Sequence, residues 1–330
     1  MVEIIIVVLG IAFLLYTLLG GADFGAGIIE IFTGKKGEKA ISKAIAPVWE
    51  ANHVWLILVI VIIFMGFPKV YTVLSTALHI PLFIMLIGIV FRGTAFTFRY
   101  YDVDTDHSHK YYTHLFRINS LLTPFFLGVT LGAMILGRIN TNYEAGFASV
   151  YLDPWVNIFS FMLGIFTVLL FGYISAAFLS SEKSLVGDER STYASLCKKF
   201  LVALVITGPL LFVTAEFNGH PLLEEFFSSP WSIGTIALAT ASLPVVWMAL
   251  NKEMTLLTRM LVGAQVTAII GGWLAIQFPV IVNLEGADDL TFYNTMANPA
   301  TLEALLWALI VGVLLIFPSI FYLFKVFKSE

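Results

Sequence analysis

Charge is what this 330-residue chain has least of. Asp, Glu, Lys and Arg together make up 12% of it, about half the share of a soluble domain, while 59% is hydrophobic. No soluble fold can hide so much apolar surface, and a mean hydropathy of +0.91 places the chain in a membrane. Cysteine is nearly missing: the lone Cys197 excludes an internal disulfide and a cysteine-based metal cage. An excess of basic charge is missing too. The formal net charge is −4 and the basic residues form short scattered clusters, which excludes nucleic acid as a partner. Met1-Val2-Glu3 lacks the basic stretch of a cleavable signal, so the first apolar run is expected to be retained. Phosphate loops are absent as well. Gly34-Lys35-Lys36-Gly37 has the wrong spacing, and no strand precedes the glycines at 20, 21, 25 and 27.

What is present is a series of apolar runs, each near the 20 residues needed to cross a bilayer. Nine helices are expected, at about 4–30, 47–67, 71–98, 118–137, 154–180, 200–216, 232–250, 256–282 and 302–324. The runs are continuous rather than alternating, which excludes a membrane β-barrel. The fold class is therefore an all-α integral membrane protein, and residues 1–330 read as one polytopic membrane domain. The polar connections are short, the longest at 33–46, 99–117, 181–199 and 283–301.

Basic residues set the expected orientation. Alternate loops on one side hold fifteen of the eighteen, including Lys35, Lys36, Lys39 and Lys43, Arg99, Lys110 and Arg117, and Lys183, Arg190, Lys198 and Lys199. The opposite loops hold only Lys69 and Arg138, and Arg92 lies within the third helix. The expectation is an N-terminus outside, a C-terminus in the cytoplasm and an odd helix count.

Ionisable groups inside apolar runs are costly and are paired or functional. Tyr16, Gly20, Asp23, Gly27 and Glu30 step by four and three residues along the first helix and share one face. Glu50 and His53 share a face of the second helix, and Arg92 and Arg99, seven apart, reach the same level from the third. Two readings stay open for this group: a neutralised ion-pair network that fixes helix register, or a chain that relays protons through ordered water. Asp23, Glu50, His53 and Glu30 are the proton-path candidates. Arg92 is expected to be the counter-charge to Asp23 or Glu50, and Arg99 an anchor at the lipid interface, since arginine stays charged and carries no proton. Gly128 and Gly132, with the glycines of the first helix, read as close-packing positions.

His79 invites a haem reading with His53. Their expected depths, ~9 Å from the inner and ~12 Å from the outer edge, leave them about 9 Å apart in height across a ~30 Å core, which disfavours a shared iron. Asp102, Asp104, Asp106, His107 and His109 read as a solvated run rather than a metal site, as do Glu216, Glu224, Glu225, Asp288 and Asp289 in the opposite loops. No catalytic, cofactor-binding or metal residue is expected in this chain.

Several segments carry a family resemblance. Gly21-Ala22-Asp23-Phe24-Gly25-Ala26-Gly27 resembles the Gly-x-Asp-x-Gly-x-Gly signature of subunit II of cytochrome bd-type quinol oxidases. Ala46-Pro47-Val48-Trp49-Glu50-Ala51-Asn52-His53-Val54-Trp55-Leu56-Ile57 is similar to that family's Pro-x-Trp-Asp-x-Asn-x-Val-Trp-Leu segment, and Phe91-Arg92-Gly93-Thr94-Ala95-Phe96-Thr97-Phe98-Arg99 to its Phe-Arg-x-x-x-Phe-x-Tyr/Phe-Arg stretch. Asp153-Pro154-Trp155 and Gln277-Phe278-Pro279 also fit.

The resemblance implies two four-helix bundles (helices one to four and five to eight) plus a peripheral ninth helix. It implies pairing with a subunit I that carries two b-type haems, a d-type haem or its replacement, and the quinol site. It allows a small single-helix subunit, a bound quinone and bound lipid. It also implies a bacterial or archaeal-type cytoplasmic (cell inner) membrane and a role in respiratory electron transport, with this chain non-catalytic by itself. Glu50 stands where the family has Asp, His53 where many members have a non-titrating residue, and Ala51 where Gly is frequent. Two alternative classes are a secondary transporter and a stand-alone b-type haem membrane protein.

Overall fold

The computed structural model describes residues 1–46, 49–101, 107–182 and 187–328, without the side chains of 50, 51, 101, 107, 317, 320, 321 and 323–328. In the hydrocarbon of a bilayer, each backbone amide and carbonyl must be satisfied within its own segment, so the apolar runs become helices. The first span, Val2–Thr33, joins α1 (Val2–Leu15) to α2 (Gly21–Thr33) through a π-helical turn at Tyr16–Gly20. After it come α3 (Lys35–Ile45), α4 (Trp49–Gly66), α5 (Pro68–Ala77), α6 (His79–Tyr101) and α7 (His107–Leu136). The second half contains α8 (Phe147–Tyr151), α9 (Ile158–Ser180), α10 (Asp188–Phe217), α11 (Leu222–Ser228), α12 (Pro230–Asn251) and α13 (Thr255–Gln277). The short antiparallel pair β1 (Val280–Val282) and β2 (Leu290–Thr291) leads to α14 (Pro299–Lys328). Among the described residues, eight helices are long and apolar enough to span a membrane, or nine if the bent pair α4 and α5 counts as one span.

Five expected boundaries move, each for a local reason. Pro68, at the first position of a helix, starts α5 at 114° to the preceding segment, so the third span begins at His79 rather than near Tyr71. His79 is therefore at a helix start and not two turns inside one. The fourth and sixth spans begin earlier than expected, at His107 and Asp188, because polar first turns extend the helices beyond the apolar runs. Residues 35–45, read as a loop, form the amphipathic α3, which buries Ile41 and Ile45. The eighth span ends at Gln277 because Pro279 cannot continue the ladder, and Val280–Val282 pairs as a strand instead.

In the first half α1 packs on α4, α2 on α7, and α6 on α7. In the second, α9 packs on α10 and α12 on α13, with α13 also against α9. Helices α7 and α2 join the halves through α9, and α14 lies against α4 and α1. Caps mark two of these starts: Asn157 accepts from the Ser160 amide at 2.8 Å, and Ser229 accepts from the Ser232 amide just before Pro230. At the end of the bundle opposite α3, Asn283 and Glu285 donate backbone hydrogen bonds to Met134 and Ile139, and Ala297 donates to Gly66, tying the β-pair and the start of α14 to α7 and α4. Here Asp289, read as solvated charge, accepts from the Leu284 amide at 2.8 Å and braces the connection.

Small residues set the closest approaches. A methyl group on Gly25 would meet the Phe171 carbonyl and Ser175 of α9, and one on Gly128 would meet the backbone of Leu163 and Gly164. Without an aqueous driving force between helices, contacts this close hold the two halves together by dispersion. Gly25→Ala should thus destabilise the protein by about 1–3 kcal/mol, whereas Gly263→Ala, with nothing within 4 Å of the added carbon, should not. Thermal unfolding of the detergent-solubilised complex compares the two variants, and an equal response would contradict the packing role of Gly25.

Candidate functional site: a buried charge cluster

The shared face expected for the first helix is observed as a buried strip: Tyr16, Gly20, Asp23, Gly27 and Glu30 are all removed from the surface. Gly27 brings α2 against Ser120 of α7, and beside it Arg92 reaches in from α6. The Arg92 guanidinium donates from Nη1 to Asp23 Oδ2 at 2.7 Å and from Nη2 to Asp23 Oδ1 at 2.9 Å. Nη2 also donates to the Asp23 carbonyl at 2.7 Å, and Nε to Ser120 Oγ at 3.1 Å. Arg92 is 1% exposed and Asp23 3%, so each charge depends on the other. Planar two-point pairing is the strong form of this contact, and only arginine supplies it.

Two turns further along both helices the arrangement repeats. Arg99 Nη1 donates to both Glu30 oxygens, at 2.7 and 3.0 Å, and Nη2 donates to Ser42 of α3 at 3.1 Å. Arg99 is 4% exposed. The lipid anchor expected at this position is thus a buried partner of Glu30, because α3 folds back and covers it. Phe116 of α7 lies between the two guanidiniums, its ring centre 4.9 Å from that of Arg92 and 4.2 Å from that of Arg99. Arg117 adds a second cation to Glu30 at 3.0 Å, and His109 Nε2 lies 2.5 Å from Glu38 Oε1 on α3. Sequence reasoning missed Glu38, His109, Arg117, Ser42 and Ser120. The four-residue spacing of Ile41 and Ile45 was the signal that residues 35–45 form a helix with a face to bury.

His53 stands between this cluster and the surface. Its Nε2 is 4.0 Å from Asp23 Oδ2, its ring packs edge-on against Phe24 and Trp49, and its buried Nδ1 has no hydrogen-bond partner among the described residues. The ring lines an open cleft formed with Trp49, Gly93, Thr94, Thr97 and Phe98. Further up the strip the Tyr16 hydroxyl is likewise buried without a partner among the described residues. The side chains of Glu50 and His107, and all of Asp102, Asp104 and Asp106, lie outside the described residues. His79 is elsewhere: its Nδ1 is 2.8 Å from the Thr76 carbonyl and its ring packs on Tyr151. The His53 ring packs on Phe24 and Trp49 and the His79 ring on Tyr151, so the two imidazoles sit in different surroundings, which does not fit a haem between them. Pro209 and Pro244 lie inside unbroken helices rather than at the discontinuous ones a transporter site uses.

Fold and site define a polytopic helical membrane protein with a charged cluster sealed between its first, third and fourth spans. The family model described as cytochrome bd terminal oxidase subunit II matches residues 1–327, and the chain belongs to that family. It is similar to cytochrome bd ubiquinol oxidase subunit 2 of Bacillus subtilis, 24% identical over 91% of this chain and 87% of that protein. It is also similar to cytochrome bd-I ubiquinol oxidase subunit 2 of Escherichia coli K12, 26% identical over 39% of this chain and 34% of that protein. The fold matches that of a chain in the bd oxidase from Geobacillus thermodenitrificans, with a TM-score of 0.80, 21% identity, and coverage of 100% of this chain and 99% of that one. The chain is accordingly a multi-pass membrane subunit of a quinol-oxidising terminal oxidase, and it works beside a subunit I.

Removing one member of a buried pair leaves the other charge uncompensated, which costs about 3–5 kcal/mol. Arg92→Leu should therefore sharply lower the amount and melting temperature of the assembled oxidase. Asp23→Leu/Arg92→Leu, which removes both charges, should recover much of the loss. If Arg92→Leu assembles and melts like the wild type, the pair does not hold the helices.

Proposed function

We propose that this subunit, as a single membrane domain, carries protons from the cytoplasmic side towards the haems of subunit I. Asp23, His53, Glu50 and Glu30 are its titratable groups. The observation that supports this reading most directly is the position of His53. One ring nitrogen faces the buried Asp23 carboxylate at 4.0 Å, the other has no hydrogen-bond partner among the described residues, and the residue lines an open cleft. An imidazole can accept a proton at one nitrogen and release one from the other. The gap to Asp23 exceeds hydrogen-bond length, so transfer needs a bridging water or a small ring rotation. Arg92 pairs with both Asp23 oxygens and fixes the carboxyl group facing His53. Glu30, bound by Arg99 and Arg117, is fixed more firmly and stands at the mouth of the line, beside Glu38 and His109.

Membership of the family supports the following reading of the rest of the assembly. Subunit I holds b-type haem and a d-type haem or a further b-type one, which supply electron transfer and oxygen reduction, and quinol enters through that subunit. A small single-helix subunit, a bound quinone and lipid complete the complex. The bias of basic residues supports a cytoplasmic position for α3 and for the loops between α6 and α7, α9 and α10, and α12 and α13, with the N-terminus outside. The membrane is the cytoplasmic membrane of a bacterial or archaeal-type cell.

Steady-state oxygen consumption, normalised to haem content, tests the line. Glu50→Gln should slow turnover several-fold with haem content preserved, Glu50→Asp should be tolerated, and His53→Gln should have a smaller effect of the same kind. Wild-type turnover in both Asp23→Asn and Glu50→Gln would leave the cluster with a structural role alone.

A further inference from the structure

A second polar site lies in the other half of the molecule, where α9 ends, α10 begins, α12 ends and α13 begins. A cavity of about 190 Å³ there is lined by Ser181, Arg190, Lys198, Asn251 and Thr255 among others. None of these residues belongs to the charge cluster around Asp23, and the inference is independent of the proton line.

Donors outnumber acceptors around the cavity. Lys198 rests on Asn251 Oδ1 at 2.7 Å and over the Trp247 ring, and has no carboxylate partner among the described residues. Arg190 holds the Glu182 carbonyl at 3.2 Å and the largely exposed Glu253 carboxylate at 3.4 Å, while its buried Nε has no partner among the described residues. Ser181, 3% exposed, lines the cavity with a hydroxyl that has no partner among the described residues. The first turn of α13 adds backbone amides, because Met254 provides no side-chain cap. Arg259 is already engaged, donating to the Phe178 and Ser181 carbonyls at the end of α9. It makes that helix end rigid without filling the cavity. Glu253 adopts a left-handed backbone conformation, φ 54°, usual for glycine, and its carboxylate lies 3.4 Å from Arg190.

Two cations, a buried idle hydroxyl and the positive end of a 23-residue helix meet at one concavity. We propose that it binds a phosphate group, which displaces Glu253 from Arg190 and accepts from Lys198, Ser181 and the Thr255 end of α13. A cavity this size is smaller than the roughly 300–1,000 Å³ of pockets for drug-sized ligands. It takes a phosphate or a glycerophosphate headgroup, not a nucleotide. Basic pockets between spans on the cytoplasmic side bind anionic headgroups, so a membrane phospholipid is one source of that group and free phosphate the other.

The test uses the intact oxidase in detergent, its thermal unfolding followed during titration with short-chain phosphatidylglycerol or inorganic phosphate. A saturable rise in melting temperature with the lipid alone assigns the site to a headgroup, and one with inorganic phosphate assigns it to the free anion. Either result supports the site if Lys198→Gln and Arg190→Gln each raise the half-saturating concentration roughly tenfold, with Ser181→Ala in the same direction. Unliganded melting temperatures and haem spectra like the wild type show that the variants are folded. The proposal is overturned if neither ligand gives a saturable response or if the variants respond as the wild type does. An equal loss in Lys252→Gln, which lies outside the cavity, overturns it too by showing that surface charge alone is responsible.

Discussion

Two carboxylates seven residues apart on α2 meet two arginines seven residues apart on α6, and the first half of the molecule is arranged around those two contacts. Helix α6 packs mainly on α7 rather than on α2, so the arginines reach across, with Phe116 between them. Each contact uses both carboxylate oxygens, which fixes rotation as well as height. Both carboxylates and both arginines are buried. Desolvating such pairs consumes most of what their attraction supplies, so their main effect is to make every other register of α2 against α6 and α7 costly. The glycines at 25 and 27 then let α9 and α7 close around the cluster.

Much of this architecture was legible in the sequence because it depends on quantities a sequence carries directly. Apolar run length decides that a segment spans, and steps of three and four decide that Tyr16, Asp23 and Glu30 face one way. Boundaries were less legible where tertiary contacts stabilise polar turns. The first turns of α7 are helical because Arg117 and His109 find Glu30 and Glu38, partners about seventy to ninety residues distant in sequence that no local pattern reveals. Pro68 could be read as a break, but not as a change of direction of 114°.

The candidate site divides along the same line. That Arg92 and Asp23 occupy one level followed from helix spacing, but the backbone and Ser120 contacts of the same guanidinium did not. Arg99 looked like a surface residue because the segment that covers it, α3, is mostly polar. The apolar face there is small, two isoleucines four residues apart with Ala40 and Ala44 beside them, and four lysines share the same eleven residues. His53 could be placed beside Asp23, whereas its open flank depends on Gly93 leaving room beside Trp49.

The pairing also has a history in time. The arginines that neutralise Asp23 and Glu30 each lie 69 residues further along the chain. At ribosomal speeds of about 5–20 residues per second, the first span waits roughly 3–14 s before its partner is made. Through that interval its acids must be protonated, hydrated or held by the insertion machinery. The strongly apolar stretch from Val2 to Leu15 is what carries the segment into the bilayer with two unpaired acids behind it. The nascent first span is thus an incomplete element whose acids gain their arginine partners only once α6 has been made.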